Sequence, residues 1–252
     1  MDDQTRFDFG ANWQRLAISE ERVIGAIRSL EKAIPEGMQQ RRFLDIGCGS
    51  GLFSLAAARL GADVHSFDFD QGCVECARAL KVAHAPHARW RIERGSVLDR
   101  SYLLGLGKFD IVYSWGVLHH TGDLWTACRN AAELVNPDGR LIIAIYNDQG
   151  WRSSYWKVVK KQYCVRSWMR PVIVGAHLPM LMARRIWRAL QRTPLERGMS
   201  LWRDYLDWLG GYPFEVATVD EVVQFHGEFE LIQIQGATSG CNEFSFRRRR
   251  TA

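Results

Sequence analysis

The segment RFLDIGCGSGLFSLAAARLGADVHSFDFD, which begins at Arg42, constrains the fold more than any other part of the chain. A short strand-like run, Phe43 to Ile46, leads into three glycines at alternate positions, Gly47, Gly49 and Gly51, and a helix-period run then carries the chain to Gly61. A strand that turns directly into a helix needs backbone conformations that side chains resist, and glycine supplies them. The same turn leaves backbone N–H groups at the start of the helix, where a polar or anionic part of a ligand is well received. The spacing departs from the dinucleotide fingerprint G-x-G-x-x-G, because the third glycine comes one position early.

The alternation of strand and helix continues. Strands are expected at 43–46, 63–67, 89–93, 109–114 and 140–146, with helical runs between them that stop at a glycine or shortly before a proline or turn cluster such as NPDG. This is the pattern of βαβ units, in which a parallel sheet is covered by helices. After Tyr146 the pattern breaks into an aromatic and basic stretch that reads as helical. It resumes at TVDEVVQFHGE, where Thr218 and Glu221 have the spacing of a capping box. FELIQIQ and NEFSFRR then alternate as two strands. Ahead of the sheet, Ser19 is the expected N-cap of a helix over 19–34.

The expected fold is therefore α/β: a Rossmann-like seven-stranded mostly parallel sheet with an antiparallel terminal hairpin and a helical insertion. Its parts are an N-terminal helical cap (1–40), a core (41–146), a basic and aromatic insertion (147–214) and a completion of the core by a helix and the terminal hairpin (215–252). A chain of 252 residues with 47% hydrophobic content can bury such a core, which excludes disordered and fibrous classes.

Charge is unevenly distributed. The net charge is +5, yet eleven basic residues between 147 and 200 meet only Asp148 and Glu196, Arg247–Arg250 add four more, and the rest of the chain is acidic at −8. The positive field is thus local. The six cysteines are scattered and the first residues lack a basic start followed by an apolar run, so a reducing cytoplasm is the expected compartment. The uncharged run of thirteen residues from Pro171 to Ala183 is too short to span a bilayer.

LDIGCGSG resembles motif I of the class I S-adenosylmethionine-dependent methyltransferases. The resemblance continues through Asp68, GSVLD (95–99), FDIVYSWGVLHH and LVNPDGRLIIAIY, over roughly residues 40–150 in the family's order. It implies S-adenosyl-L-methionine as cofactor. Asp45 and the backbone of Gly47, Cys48, Gly49 and Gly51 would hold its amino acid moiety, Asp68 would accept from both ribose hydroxyls, Phe69 would cover the adenine, and Trp115 would complete the site. Many relatives carry an aspartate where this chain has Ser96, so part of the adenine contact would pass to the backbone of Val97. The residues by themselves leave alternatives: Asp68 can be an ordinary strand-end carboxylate, and Asp70 reads as the N-cap of the next helix.

Methyl transfer from a sulfonium is an in-line displacement, so alignment and exclusion of water are the main demands on the protein. A hydroxyl or phenol acceptor gains from a general base. His119 and His120 follow the fourth strand, at the rim where open α/β sheets bind ligands, in a region resembling the ubiquinone-pathway O-methyltransferases. One of them is the candidate base; packing or helix capping is the plainer alternative. No Asn/Asp-Pro-Pro-aromatic tetrapeptide occurs and no cysteine follows a proline, which disfavours amino-directed nucleic-acid and cytosine C5 methylation.

The expected activity is O-methylation of a small-molecule acceptor, with a phosphorylated or lipid-linked one matching the basic and aromatic insertion. Competing readings are an RNA or protein methyltransferase that uses the basic segment, and a non-catalytic cofactor-binding or scaffold protein. The insertion itself reads first as a substrate cap, then as a peripheral contact with an anionic membrane, and least as a nucleic-acid surface. No metal is expected, since Cys73 and Cys76 lack a second pair of zinc spacing. Arg6, Phe9 and Trp13 would form a lid over the cofactor. The sequence leaves the oligomeric state and the acceptor open.

Overall fold

The computed structural model describes residues 18–190, 206, 208–236 and 240–249. They form two compact units, one within Gln149–Phe214 and the other from the chain before and after it. The larger unit contains α1 (Glu20–Ala33), β1 (Arg42–Ile46), α2 (Leu52–Arg59), β2 (Asp63–Asp68), α3 (Gln71–His84), β3 (Trp90–Arg94), α4 (Arg100–Leu104), β4 (Phe109–Trp115), α5 (Leu124–Glu133) and β5 (Val135–Tyr146). The smaller unit holds α6 (Trp151–Val165) and α7 (Arg170–Leu190); α8 (Val219–Phe225), β6 (Phe229–Gln235) and β7 (Cys241–Arg248) then complete the larger.

The seven strands run in the order β3-β2-β1-β4-β5-β7-β6. β1 to β5 pair in parallel, and β7 is antiparallel to both of its neighbours. The central strands β1, β4 and the later part of β5 are buried on both faces because helices cover both, as a parallel sheet requires. Successive residues go to opposite sides: Val112 and Ile143 enter the cluster with α5 and Phe244, whereas Tyr113 and Ile142 enter the cluster with Val23, Leu30 and Leu55. Chain order reverses between β1 and β4, and ligands of open α/β sheets bind at such a switch point.

Local signals hold at most element ends. Asp70 caps α3 by accepting from Gly72 N at 2.7 Å, and Thr218 with Glu221 forms the full capping box of α8. Ser19 occupies the N-cap of α1 with an extended backbone, but its side chain makes no capping bond; Glu20 and Glu21 in the first turn meet the positive end of the helix instead. The NPDG tetrapeptide, expected as a turn, lies inside β5. The pairing shifts from Phe109↔Val135 to Ile111↔Arg140, and Asp138 takes a φ of 61°, so the turn residues are absorbed as a bulge. Sequence periodicity did not predict the short α4, which Asp99 caps through Tyr102 N at 3.1 Å.

The smaller unit has a modest core of Tyr163, Ile173 and Leu209. Lys160 on α6 is completely buried; its amine donates to the Trp208 carbonyl and lies 4.4 Å from the Trp208 ring centre and 5.0 Å from that of Phe214. Among the described residues no helix is long and apolar enough to cross a membrane.

Candidate functional site

The glycine turn joins β1 to α2 in left-handed backbone: Gly47, Gly49 and Gly51 have φ of 72°, 54° and 81°. It is stitched to the end of β2. Gly47 N and Cys48 N both donate to the Phe67 carbonyl, at 2.8 and 3.1 Å, and Asp68 Oδ2 accepts from Gly49 N at 2.9 Å. The other oxygen of Asp68 accepts from Asp70 N at 2.9 Å. One carboxylate therefore fixes the turn and the start of the segment leading to α3. Two of the glycines also serve the protein's own packing: a Cβ on Gly47 would lie 2.4 Å from Val117 Cγ1, and one on Gly51 would lie 2.9 Å from Ala77 Cβ.

Asp45 on β1 is buried and accepts from Ser54 Oγ at 2.5 Å. Burial raises its carboxyl to about 7; the Ser54 bond opposes this and the charge of Asp68 adds to it. Cys48 is buried too, and burial pushes its thiol well up, so its contribution is main-chain.

Along β2 and β3, Phe69 is exposed, with the Arg94 guanidinium 5.6 Å over its ring and Arg94 Nε donating to its carbonyl at 3.0 Å. Ser96 Oγ accepts from Leu98 N at 3.2 Å, which curls the chain beyond β3. The Val97 carbonyl accepts from Asn130 Nδ2 at 2.8 Å. Asn130 escaped the sequence reading. Its signal was a lone amide on the α5 face that carries Ala127 and Ala131, where a buried polar side chain must have a partner.

At the ends of β4 and β5, Trp115 Nε1 donates to Glu243 Oε2 of β7 at 3.1 Å. Glu243 also went unnoticed in the sequence, because the register that sets it opposite Ala144 exists only in the folded sheet. Leu118–His120 form a single 3-10 turn that separates the two histidines. His119 is fully buried, with its ring 4.1 Å from that of Tyr146; His120 is partly exposed, 4.5 Å from His119 and 5.5 Å from Tyr146. The glycine turn, Asp68 and the histidine turn all sit at the carboxyl ends of the parallel strands.

Arg6, Phe9 and Trp13 lie outside the described residues. Burial pushes up the thiols of Cys73 and Cys76, and among the described residues no group of three or more His, Cys, Asp or Glu side chains is placed to hold a metal ion.

A family profile described as a methyltransferase domain matches residues 19–196. The chain is 33% identical over 125 residues to the ubiquinone biosynthesis O-methyltransferase of Azorhizobium caulinodans, a match covering 50% of this chain and 47% of that protein. It is 29% identical over 153 residues to the protein of the same name from Bordetella avium, covering 59% and 61%. The chain thus spans about half the length of the curated relatives it matches. Among solved structures, magnesium protoporphyrin IX methyltransferase from Synechocystis superposes with a TM-score of 0.58 at 14% identity, over 96% of this chain and 94% of that one. An N-methyltransferase from Bradyrhizobium japonicum gives 0.52 at 14% identity, over 92% and 99%. These two likenesses are of fold.

Proposed function

Since this chain belongs to the methyltransferase domain family, we propose that it transfers a methyl group from S-adenosylmethionine to an oxygen of a small-molecule acceptor. The observation that carries this reading is the left-handed glycine turn held by Asp68 on the same sheet rim as the histidine turn. The donor set fits the cofactor. A carboxylate is an acceptor with several lone-pair sites, the chemistry that ribose hydroxyls call for, and the side-chain-free Gly49 lets a ligand approach the main chain. Asp45 would face the cofactor's ammonium, which favours its ionised form. Phe69, Val97 and Trp115 would border the nucleoside.

When bound, the cofactor supplies a methyl carbon already activated by a sulfonium. What the chain adds is orientation and proton handling. His120, the more exposed of the pair, would take the acceptor's hydroxyl proton, and His119, packed on Tyr146, would hold it in place. Titration calorimetry with S-adenosylmethionine tests the reading at its base: no heat of binding by the intact protein removes it. For the base, His119→Ala and His120→Ala should each bind cofactor normally and one should lose turnover; unchanged turnover in both discards the assignment.

The curated relatives are named for ubiquinone biosynthesis, which supports a phenolic acceptor with an apolar portion. A second reading is favoured by the smaller unit, whose segment would meet an anionic membrane surface. Trp151, Val158 and Val165 are exposed on the side of α6 opposite the buried Ser153, Lys160 and Tyr163, and Trp168 and Val172 are exposed beyond them. From Gln149 to Leu190 the chain has no acidic residue. Such a basic, aromatic surface suits headgroups of negative charge. Co-flotation with phosphatidylglycerol vesicles and not with phosphatidylcholine vesicles is expected, and equal behaviour with both would sink it.

A further inference from the structure

The chain leaves the sheet after Tyr146 and comes back to it at Glu215. Ala217 N donates to the Tyr146 carbonyl at 3.0 Å, and the Ala217 carbonyl accepts from Asp148 N at 3.1 Å, so the outgoing and returning chains are paired at the end of β5. Glu215 turns the other way, toward the β4–α5 turn. Its N–H donates to the His119 carbonyl at 3.0 Å. Its carboxylate spans two amides, with Oε2 accepting from Gly122 N at 2.9 Å and Oε1 from Leu124 N at 3.2 Å.

Three hydrogen bonds from one residue therefore fall on the six residues from His119 to Leu124. The plain reading of a carboxylate at a helix start is a cap. Here Asp123 already caps α5 through Thr126 N at 3.2 Å, and Thr121 Oγ1 closes the turn on the Leu118 carbonyl at 2.8 Å. Helix and turn thus have their own local caps, and what Glu215 adds is a link between them and the end of β5, which carries Tyr146. Ring contacts of His119 and His120 with Tyr146 also join the histidine turn to the β5 end, and directed bonds to a charged group set distance more sharply than such contacts do.

We propose that Glu215 is the positioning residue of the His119–His120 pair: it fixes the turn that carries them relative to Tyr146 and so sets where the His120 ring points. This rests on the reading of the pair as acid–base groups for methyl transfer. Glu215 also directly follows Phe214, the last residue of the smaller unit, so the place where the chain re-enters the sheet and the place of the candidate base are held by one side chain.

The experiment compares the intact protein with Glu215→Ala and Glu215→Gln. Amide exchange is read at Gly122 and Leu124, the imidazole signals of His120 are followed by NMR through a pH titration, and S-adenosylmethionine affinity is measured by calorimetry. Losing two bonds to a charged acceptor should speed exchange at both amides about tenfold or more in Glu215→Ala. The His120 titration curve should move, Glu215→Gln should fall between the other two because one carbonyl oxygen remains, and cofactor affinity should stay within about twofold of wild type, since the bonds lost lie on the β4–α5 turn and not on the glycine turn or Asp68. If exchange rises while the His120 curve stays on the wild-type trace in both variants, Glu215 is a cap only and the proposal falls. Should Glu215→Ala not fold, Glu215→Gln decides by the same two signals. Failure of the wild-type protein to bind S-adenosylmethionine overturns the methyl-transfer reading and leaves the exchange and imidazole results to judge Glu215 by themselves.

Discussion

The sheet and the smaller helical unit bury chain with different materials. In the sheet, Phe43, Leu44, Ile111, Val112 and Leu141–Ile143 are buried in continuous runs, and polar groups among them, such as Asp45 and Asn130, have named hydrogen-bond partners nearby. Among the described residues, the smaller unit buries the apolar side chains of Tyr163, Ile173, Leu209 and Phe214 and a lysine beside aromatic rings, and it leaves Trp151, Trp168 and Val172 exposed. A parallel sheet under helices is specified many times over by apolar runs, so it tolerates polar substitutions at its rim. The described core of the smaller unit is small, which leaves it little surplus stability of its own.

Lys160 offers the sharpest contrast. The faces of Trp208 and Phe214 favour an ammonium, yet burial lowers the amine to about 7, and burial wins. Between that value and the ordinary value of 10.5 the unfolded chain binds more protons than the folded one, so stability rises with pH. Cys164, pushed up to about 11, acts oppositely above its ordinary value of 9.0, which confines the clean window to pH 7–9. There the gain should approach 1.4 kcal/mol per pH unit, about 3 kcal/mol in all. Denaturant melts followed by tryptophan fluorescence should show this slope, and Lys160→Met should flatten it. A slope that survives the substitution would place the titrating group elsewhere and erase the contrast.

On the sheet side the largest effect is expected at Asp68. If Asp68 grips the ribose as proposed, Asp68→Ala should weaken S-adenosylmethionine about a hundredfold by calorimetry, the cost of losing charge-assisted bonds to two hydroxyls, while leaving the Lys160 slope untouched. Asn130→Ala strands the buried Val97 carbonyl and should cost about 2 kcal/mol in urea unfolding; a change near zero would mean that water replaces the amide. Thr218→Ala removes the capping box of α8 and should cost about 1 kcal/mol, the smallest of the four.

Much of this was legible in the chain before it was folded. The glycine turn, the strands, the caps at Asp70 and Thr218 and the Asp68 position are local patterns, set by which φ values glycine allows and by which short side chains reach a nearby amide. The β5 bulge was hidden because NPDG is a turn by its own preferences, and only the pairing of Val135 and Arg140 with β4 on either side of it keeps it within the strand. The partners Trp115–Glu243 and Gly122–Glu215 are 128 and 93 residues apart, beyond any periodicity.

By itself, then, the order of residues determined the class of fold, the order of its strands and main helices, and the left-handed glycine bend between β1 and α2, because each depends on conformational preferences acting over a few positions. Only the tertiary structure decided which histidine is buried and which reaches solvent, which glycines are needed by neighbouring side chains, and that Glu215 grips the histidine turn. Those outcomes depend on segments brought together by burial of the sheet's two faces, and no local rule contains that distance.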